Sequence, residues 1–455
     1  MVKILKLPFD TNIFPFNTGV YVVGGSVRDL LAGRMPHDYD LVVHQDWTNF
    51  ASRLTAATGG HIVELGKQDQ KMLRVVTKDR FFDIMPVNGS SIENDLGLRD
   101  FTINAMALDV STGNLIDPIG GQTDLAAKKV RMISREVFRK DPVRLIRAYR
   151  MAANFDLSID KNTRAAIAAD ANLIQESAGE RIREELFKIL QCGQSHVYLS
   201  MMDQSGLLLH IFPEFLELKK LQVDPAAPRT WFEQTLDSYF HLEKLLNDSQ
   251  FFHNDPVTRS ILLKWSVLFH NLGRLPTKQP VDNGNINEID DHATRSAAMA
   301  QVICQRLRFS RHQSDTIEMT IRHHFKPPVL FRAHQQNSPV EKEFIRLFLK
   351  CTDVTPDVLL LALAEFKGQG EADAPGADEF TGFIRMLIQE YDTELRPRAA
   401  LPPPINGNDL INEFGIKPSA EFRRILNRIE EERLSHPTYS REEALKLVEK
   451  LLSQR

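Results

Sequence analysis

Two short groups of residues near the start of the chain have the types and spacing needed to handle phosphate and a metal ion. Gly24 and Gly25 end an apolar run, and Arg28 follows in the first turns of a predicted helix. Glycines let backbone N–H groups approach phosphate oxygens, and a helix start and an arginine both favour negative charge. Asp38 and Asp40 are two residues apart, so both side chains point to one side of an extended strand. Carboxylates beside a phosphate cradle predict a Mg²⁺ site, because hard cations take oxygen ligands and share them with substrate phosphates.

Neither group is specific when it stands alone. A Gly-Gly pair is usually a turn, and an Asp-x-Asp pair is usually a solvated strand end or loop. Their combination in this order favours a nucleotide-handling site. The dinucleotide-binding fingerprint does not fit, because the sequence lacks its third glycine and the single acidic residue that follows to bind a ribose.

Three charged residues further along the chain have the chemistry to read a nucleotide base. Asp141, Arg144 and Arg147 recur every three residues, which predicts that they share one face of a helix beginning near Asp141. A carboxylate accepts hydrogen bonds from the exocyclic amine of cytosine or adenine, and an arginine donates to ring acceptors. Such a pair imitates a Watson–Crick edge without a template. An ordinary surface ion pair is the alternative interpretation.

These residues, with the longer motifs around them, resemble the head domain of the DNA polymerase β-like nucleotidyltransferases. The specific resemblance is to the class II tRNA nucleotidyltransferases and bacterial poly(A) polymerases. Residues 99–107 look like the family's ribose-recognition motif, residues 140–148 like its base-reading motif and residues 179–186 like its helix-bracing motif. The resemblance implies in-line attack of an RNA 3′-hydroxyl on the α-phosphate of CTP or ATP, with release of pyrophosphate. It also implies tRNA as the partner.

The resemblance gives each candidate residue a role. Asp38 and Asp40 would be catalytic and would hold two Mg²⁺ ions. Asp83 is a candidate third carboxylate or, equally, a structural acid. The expected nucleotide-binding residues are Gly24, Gly25, Arg28 and Arg147 at the triphosphate, Arg99, Asp100 and Asn104 at the ribose, and Asp141 and Arg144 at the base.

Two positions depart from the family pattern. Lys140 stands where relatives usually carry an acidic residue, and Leu98 stands where they carry the first of two consecutive arginines. With these two departures, the sequence does not determine which bases are selected or how finely the nucleotide is positioned.

The middle of the chain resembles the HD-type metal phosphohydrolases more weakly. His270, His292 and the pair at residues 323–324 fall where that family places metal-binding histidines. Gln234 replaces an expected histidine and Asn271 replaces the aspartate. An amide is a poor substitute for an anionic ligand, so we expect an HD-like helical scaffold that has lost its metal. His270 and His292 would then be core or RNA-contact residues.

The pattern of elements predicts an α+β protein, with a polymerase β-like head built from a mixed sheet and helices, followed by an all-helical neck, body and tail. The proline-bearing stretch Arg396–Pro404 is the clearest linker and is expected to be extended. The predicted domains are a head at 1–135, a neck at 136–200, an HD-like body at 201–395 and a tail at 396–455.

Composition limits the remaining possibilities. The net charge is −4, yet nine basic residues stand against two acidic ones between Lys128 and Arg150, so a local field suited to phosphate survives. Cys192, Cys304 and Cys351 are isolated from one another, which favours a reducing compartment over a disulfide framework or a zinc site. The apolar runs are too short to span a bilayer and no signal-peptide pattern is visible, so we expect a cytoplasmic protein.

Three functions remain open at this stage. The first is a tRNA nucleotidyltransferase that adds all of CCA, or only its CC or A part. The second is a poly(A) polymerase, whose basic segment after the metal motif is missing from residues 65–71. The third is an HD-type phosphohydrolase or a non-catalytic RNA-binding protein, which would need an intact HD site or a damaged Asp-x-Asp pair.

Overall fold

The computed structural model describes residues 6–66, 72–224, 228–249, 251, 257–274, 286–371 and 376–453. The chain divides into two compact units. The first comprises residues 1–192 and 201–211, and the second comprises residues 193–200 and 212–455.

One mixed sheet organises the first unit. Its strands follow the order β3-β4-β5-β2-β1-β6-β7, in which β1 is antiparallel to β2 and β6, and β2 is parallel to β5. The strands are β1 (Val20–Val23), β2 (Asp38–Val43), β3 (His61–Leu65), β4 (Met72–Val76), β5 (Phe81–Pro86), β6 (Ala107–Asp109) and β7 (Leu115–Ile116). A separate parallel pair consists of β8 (Lys129–Val130) and β9 (Ser158–Ile159).

The alternation of side chains along β2 directs its two acids to one face of the sheet. Tyr39, Leu41 and Val43 are buried in one hydrophobic core with Phe50 and Phe82. Val42 points the other way and packs in a second core with residues of β1 and β6. Because side chains alternate along a strand, Asp38 and Asp40 lie on the face of Val42. The expectation that the two carboxylates share a side is therefore confirmed.

The helices of the first unit connect and flank the strands. They are α1 (Gly25–Leu31), α2 (Trp47–Thr58), α3 (Ile92–Gly97), α4 (Gly121–Ala126), α5 (Glu136–Lys140), α6 (Arg144–Phe155), α7 (Lys161–Asp170) and α8 (Gly179–Leu190). Two more are α9 (Ser195–Gln204), which contributes residues to both units, and α10 (Leu207–Ile211).

The described part of the second unit is built from helices, with one isolated β-bridge between Gln222 and Thr230. Two helices form much of its core: α13 (Val257–Phe269) has nine of its 13 residues buried, and α18 (Thr355–Phe366) has 11 of 12. The helices are α11 (Phe215–Lys220), α12 (Trp231–Leu246), α13 (Val257–Phe269), α14 (Ile286–Arg306), α15 (Arg311–His323), α16 (Lys326–Gln335), α17 (Glu341–Cys351), α18 (Thr355–Phe366), α19 (Ala377–Glu390), α20 (Arg396–Ala399), α21 (Gly407–Phe414), α22 (Ala420–Ser435) and α23 (Arg441–Ser453). Among the described helices, none has the length and apolar character needed to cross a membrane.

The predicted fold class is confirmed, and three local predictions are corrected. The two-residue strand β9 interrupts the helical pattern that was expected to continue beyond the head. Arg396–Ala399 forms α20 instead of extended chain, because Pro397 lies in the first turn, where its missing N–H is not needed. The base-reading helix begins at Arg144 and not near Asp141. Asp141 is extended, with φ −150° and ψ 90°, because the proline at position 142 disfavours helical geometry in the residue before it.

Candidate active site

The turn from β1 into α1 brings backbone close to two charged side chains. Gly24 precedes α1 with φ 70°, a conformation that favours glycine. A Cβ atom on Gly24 would lie 2.8 Å from Arg99 Nη1 and 3.2 Å from Asp40 Oδ2. This position therefore requires glycine both for its backbone conformation and for the space beside the acidic strand.

Asp38 and Asp40 stand at the start of β2 beside this turn. Ser26 fixes α1 against the strand, because its hydroxyl donates to the Asp38 carbonyl at 2.9 Å and accepts the Asp40 N–H at 3.3 Å. Asp38 is exposed, whereas Asp40 is half-buried. Burial raises the pKa of Asp40 to about 6, with Asp83 and Asp38 adding to the rise and Arg99 opposing it. A bound cation would favour the ionised form of this carboxylate.

Asp83 lies directly beside Asp40 in the sheet, since the two residues are register partners on parallel strands. Its carboxylate is already engaged. Arg74 Nε donates to Asp83 Oδ1 at 2.7 Å and Arg74 Nη2 donates to Asp83 Oδ2 at 2.8 Å. This geometry supports the structural role of Asp83 and leaves Asp38 and Asp40 as the available pair.

The donor set fits a hard divalent cation. Two carboxylates share one face of β2. The pKa of Asp40 is raised, and a bound metal ion would lower it again. No group of three or more histidine, cysteine, aspartate and glutamate side chains suited to a metal occurs in the described ranges. An ion held by these two carboxylates has coordination positions left for substrate phosphates.

The ribose motif forms a hydrogen-bonded chain that ends on Arg28. Asp100 is buried and accepts from the Asn104 side chain at 2.9 Å and from Arg147 Nη1 at 3.3 Å. Burial alone would raise the pKa of Asp100, but Arg147 and Asn104 outweigh it and hold that pKa below its ordinary value. Asn104 Oδ1 accepts from Arg28 Nη1 at 2.6 Å. Arg99 pairs with Asp95 at 3.0 Å.

The two base-reading candidates lie on either side of the start of α6. Arg181 Nη2 donates to Asp141 Oδ2 at 2.9 Å, and Arg144 Nε lies 3.7 Å from the same oxygen. Arg144 Nη1 also donates to the Leu98 carbonyl at 3.4 Å, so the unusual residue at position 98 contributes through its backbone. The pair is therefore present, although its carboxylate is partly engaged by Arg181.

A cavity of about 420 Å³ unites most of these residues. Asp38 and Asp141 are not part of its lining. The sequence-predicted residues that line it are Gly24, Gly25, Arg28, Asp40, Arg99, Asp100, Asn104, Arg144 and Arg147.

Three lining residues were not singled out from the sequence: Met151, Asn154 and Phe155; Arg150 was named there only as part of a basic segment. All belong to the later turns of α6. The signal that would have identified Met151, Asn154 and Phe155 is helical spacing, since positions seven, ten and eleven residues after Arg144 return to the same face. Glu185 is 5% exposed and pairs with Arg150 at 3.0 Å and Arg147 at 3.5 Å, so one buried acid holds both arginines.

A second polar cavity, of about 320 Å³, lies within the helical unit. Its lining includes His292, His324, Arg274 and Glu365. His270 is fully buried beside them, with its ring centroid 5.5 Å from that of His324. Three histidines from the HD-like segments therefore do come together.

The two residues that replace HD ligands are also buried. Asn271 donates to Thr235 Oγ1 at 3.1 Å, and no side-chain hydrogen bond is found for Gln234 among the described residues. Neither amide supplies the negative charge of an aspartate ligand.

Comparisons with known proteins place these features in a family. Residues 20–131 match the family model described as the poly A polymerase head domain, and residues 156–218 match one described as the probable RNA and SrmB-binding site of polymerase A. The chain is 28% identical over 430 residues to an A-adding tRNA nucleotidyltransferase of Deinococcus radiodurans, covering 92% of each chain. It is 40% identical over 196 residues to a CC-adding tRNA nucleotidyltransferase of Geobacter sulfurreducens, covering 43% of this chain and 45% of the relative.

Two further similarities each cover two thirds of the chain or more. A multifunctional CCA protein of Nitrosococcus oceani is 30% identical over 319 residues, which cover 67% of this chain and 74% of that protein. A Thermotoga maritima CCA-adding enzyme, solved in complex with tRNA, has the same fold with a TM-score of 0.63 at 22% identity, covering 95% of this chain and 91% of that one.

A mixed sheet with an Asp-x-Asp pair beside a Gly-Gly helix start defines a polymerase β-like nucleotidyltransferase. The chain belongs to the family of class II tRNA nucleotidyltransferases and bacterial poly(A) polymerases. Enzymes of this family are nucleotidyltransferases that depend on a divalent metal. The similarities do not favour the poly(A) polymerase alternative. The stretch used to weigh that alternative includes residues 67–71, which lie outside the described residues.

Proposed function

We propose that the protein adds CCA, or the CC or A part of it, to the 3′ ends of tRNA from CTP and ATP. The observation that carries this proposal is the cavity in which Asp40, the ribose motif and the base-reading arginines line one space. The relatives named for A, CC and CCA addition support the same substrates.

The proposed roles follow from the contacts of each side chain. Arg28 binds the triphosphate beside Gly24 and Gly25, and Arg147 assists it. Asp100 binds the ribose, held in place by Asn104, with Arg99 beside it. Arg144 and Asp141 hydrogen-bond the edge of cytosine or adenine, and Arg181 orients the carboxylate.

We further propose Mg²⁺ as the metal, held by Asp38 and Asp40. When bound, the ions supply positive charge to the attacking and leaving oxygens of the phosphoryl transfer. The protein's own part is to hold the two carboxylates on one face of β2 and the nucleotide against them. The proposal includes the cytoplasmic location expected from the cysteine pattern. It also includes the division into a head at 1–135, a neck at 136–200, a body at 201–395 and a tail at 396–455.

Incorporation of labelled CTP and ATP into three tRNA substrates tests the function. The substrates end at the discriminator base, at C and at CC. Addition to all three indicates full CCA synthesis. CC addition alone or A addition alone identifies a partial enzyme. Extension of an unrelated RNA with many adenylates, and no addition to these tRNAs, would contradict the proposal.

A further inference from the structure

Phe155, the last residue of α6, carries an aromatic ring that two arginines cover. The guanidinium carbon of Arg28 lies 4.0 Å from the ring centroid, and that of Arg34 lies 4.8 Å from it. Arg34 Nη1 also donates to the Asn154 carbonyl at 3.4 Å. Phe155 is only partly buried and lines the nucleotide cavity. Its ring therefore lies at the site itself.

The hydrogen bonds of Arg28 to oxygen atoms hold the edges of its guanidinium. Arg28 Nε and Nη2 donate to Asp29 Oδ1 at 3.0 and 2.9 Å, and Arg28 Nη1 donates to Asn104 Oδ1 at 2.6 Å. These hydrogen bonds lie in the guanidinium plane, because all of its donors do. The contact of Arg28 with the face of the Phe155 ring adds a further attraction that constrains where the guanidinium lies.

The position of Phe155 on α6 connects the two ends of the nucleotide site. Arg144 begins this helix and Phe155 ends it. The eleven helical steps from Arg144 to Phe155 rise by roughly 16 Å. The helix therefore keeps a fixed distance between Arg144 and the contact of Phe155 with Arg28. The helix α6, which carries the base-reading Arg144, therefore also fixes the position of the Phe155 ring at the triphosphate end of the site.

We propose that Phe155 is a positioning residue that orients Arg28 toward the triphosphate and couples that arginine to the base-reading helix. The inference rests on the proposed function of the cavity and adds to it a residue outside the family motifs on which that proposal is based. Loss of the ring should weaken binding of every nucleoside triphosphate, and of pyrophosphate, without changing which base is chosen.

The test compares Phe155→Leu with Phe155→Tyr and Arg34→Ala. Leucine keeps apolar bulk but has no aromatic face, whereas tyrosine keeps the face. Arg34 touches the same ring but does not line the cavity, so it is the matched control. We expect Phe155→Leu to raise the KM for CTP and ATP, and the inhibition constant of inorganic pyrophosphate, about 3- to 30-fold, the range that a cation–π contact spans. The kcat, the KM for tRNA and the base selectivity should stay within about twofold, as for a loss of uniform binding.

The possible outcomes separate the inference from the function on which it rests. A wild-type protein that adds no nucleotide to tRNA would contradict the proposed function. An active wild type with a Phe155→Leu variant of unchanged KM and unchanged pyrophosphate inhibition would overturn the role of Phe155 alone. A lowered Tm with defects in kcat and tRNA binding that Phe155→Tyr does not restore would also overturn it, because it would indicate a merely structural role. Restoration by tyrosine, with Arg34→Ala close to wild type, supports the proposal.

Discussion

The cavity at Asp40, the proposed nucleotide cavity, and the cavity at His292 and His324, the histidine cavity, differ in how their charges are balanced. In the nucleotide cavity, arginines outnumber the acids, and Asp40 has a raised pKa because burial is not fully compensated. In the histidine cavity, Glu365 is compensated internally. Its pKa lies well below the ordinary value despite burial, because His324 and Arg274 lie beside it. The first cavity therefore suits an anionic ligand together with a cation. In the second cavity, the charge of Glu365 is already balanced by neighbouring side chains.

The histidine cavity also differs in the state of its imidazoles. Burial lowers the pKa of His270 to about 4, and it lowers the pKa of His292 as well. Both groups are neutral near pH 7. His270 Nδ1 lies 2.6 Å from the Val267 carbonyl, and His324 Nδ1 lies 2.5 Å from the Ile321 carbonyl. Neutral imidazoles with one carboxylate provide little of the negative charge that a hydrolytic metal pair needs, because Gln234 and Asn271 add none.

The largest expected effect comes from the carboxylates of the nucleotide cavity. Asp38→Ala or Asp40→Ala should lower nucleotide addition by about a thousandfold or more, because metal ions contribute several kcal/mol to the stabilisation of transition-state charge. Binding of tRNA, measured by gel shift, should largely persist. Asp79→Ala is the control, since Asp79 is exposed in the turn between β4 and β5. Near-normal turnover in either variant would remove the active-site assignment.

The second effect concerns the choice of base. The double variant Asp141→Ala with Arg144→Ala should lose discrimination among CTP, ATP, UTP and GTP before it loses all activity. The expected loss is about 10- to 100-fold in the ratio of kcat/KM values, since a paired base contact is worth about 1–3 kcal/mol of discrimination. Arg139→Ala, which removes an exposed ion pair with Glu136, serves as the control. Unchanged selectivity in the double variant would show that the base is read elsewhere.

Sequence reasoning succeeded where local signals decide the structure. The helix Trp47–Thr58 has both ends marked by neighbouring residues, because Asp46 caps its start and Gly59 ends it in the left-handed conformation. It failed where a contact joins distant residues. The pairing of Arg181 with Asp141 spans 40 positions and leaves no spacing pattern in the sequence. The convergence of His270, His292 and His324 was suggested only by resemblance, and the contact between Phe155 and Arg28 by nothing local.

A third prediction uses the pKa of Asp40. Because the pKa in the folded protein is about 6, above its ordinary value, ionisation of Asp40 reduces stability as the pH rises through 6. A bound divalent ion should reverse this loss, and protons should compete with it at lower pH. We therefore expect Mg²⁺ to raise Tm by about 2–4 °C at pH 7.5 and by less at pH 5.5, an effect of about 1 kcal/mol. Scanning calorimetry of the wild type and of Asp40→Asn measures it. Equal shifts at both pH values, or a shift retained in Asp40→Asn, would show that the metal does not bind at Asp40.

The smallest effect on nucleotide addition should come from the histidine cavity. His270→Ala removes a fully buried imidazole and should lower Tm by several degrees, while kcat/KM for nucleotide addition at 25 °C stays within about twofold.

The purified protein should also show no phosphatase or phosphodiesterase activity stimulated by Ni²⁺ or Co²⁺. The reason is that the imidazoles lie beside a carboxylate already paired with Arg274, and the amides of Gln234 and Asn271 supply no replacement charge. A metal-dependent hydrolase activity that disappears in His270→Ala would show that the histidine cavity also binds a catalytic metal. The protein would then be bifunctional, with catalysis in the helical unit as well as in the head.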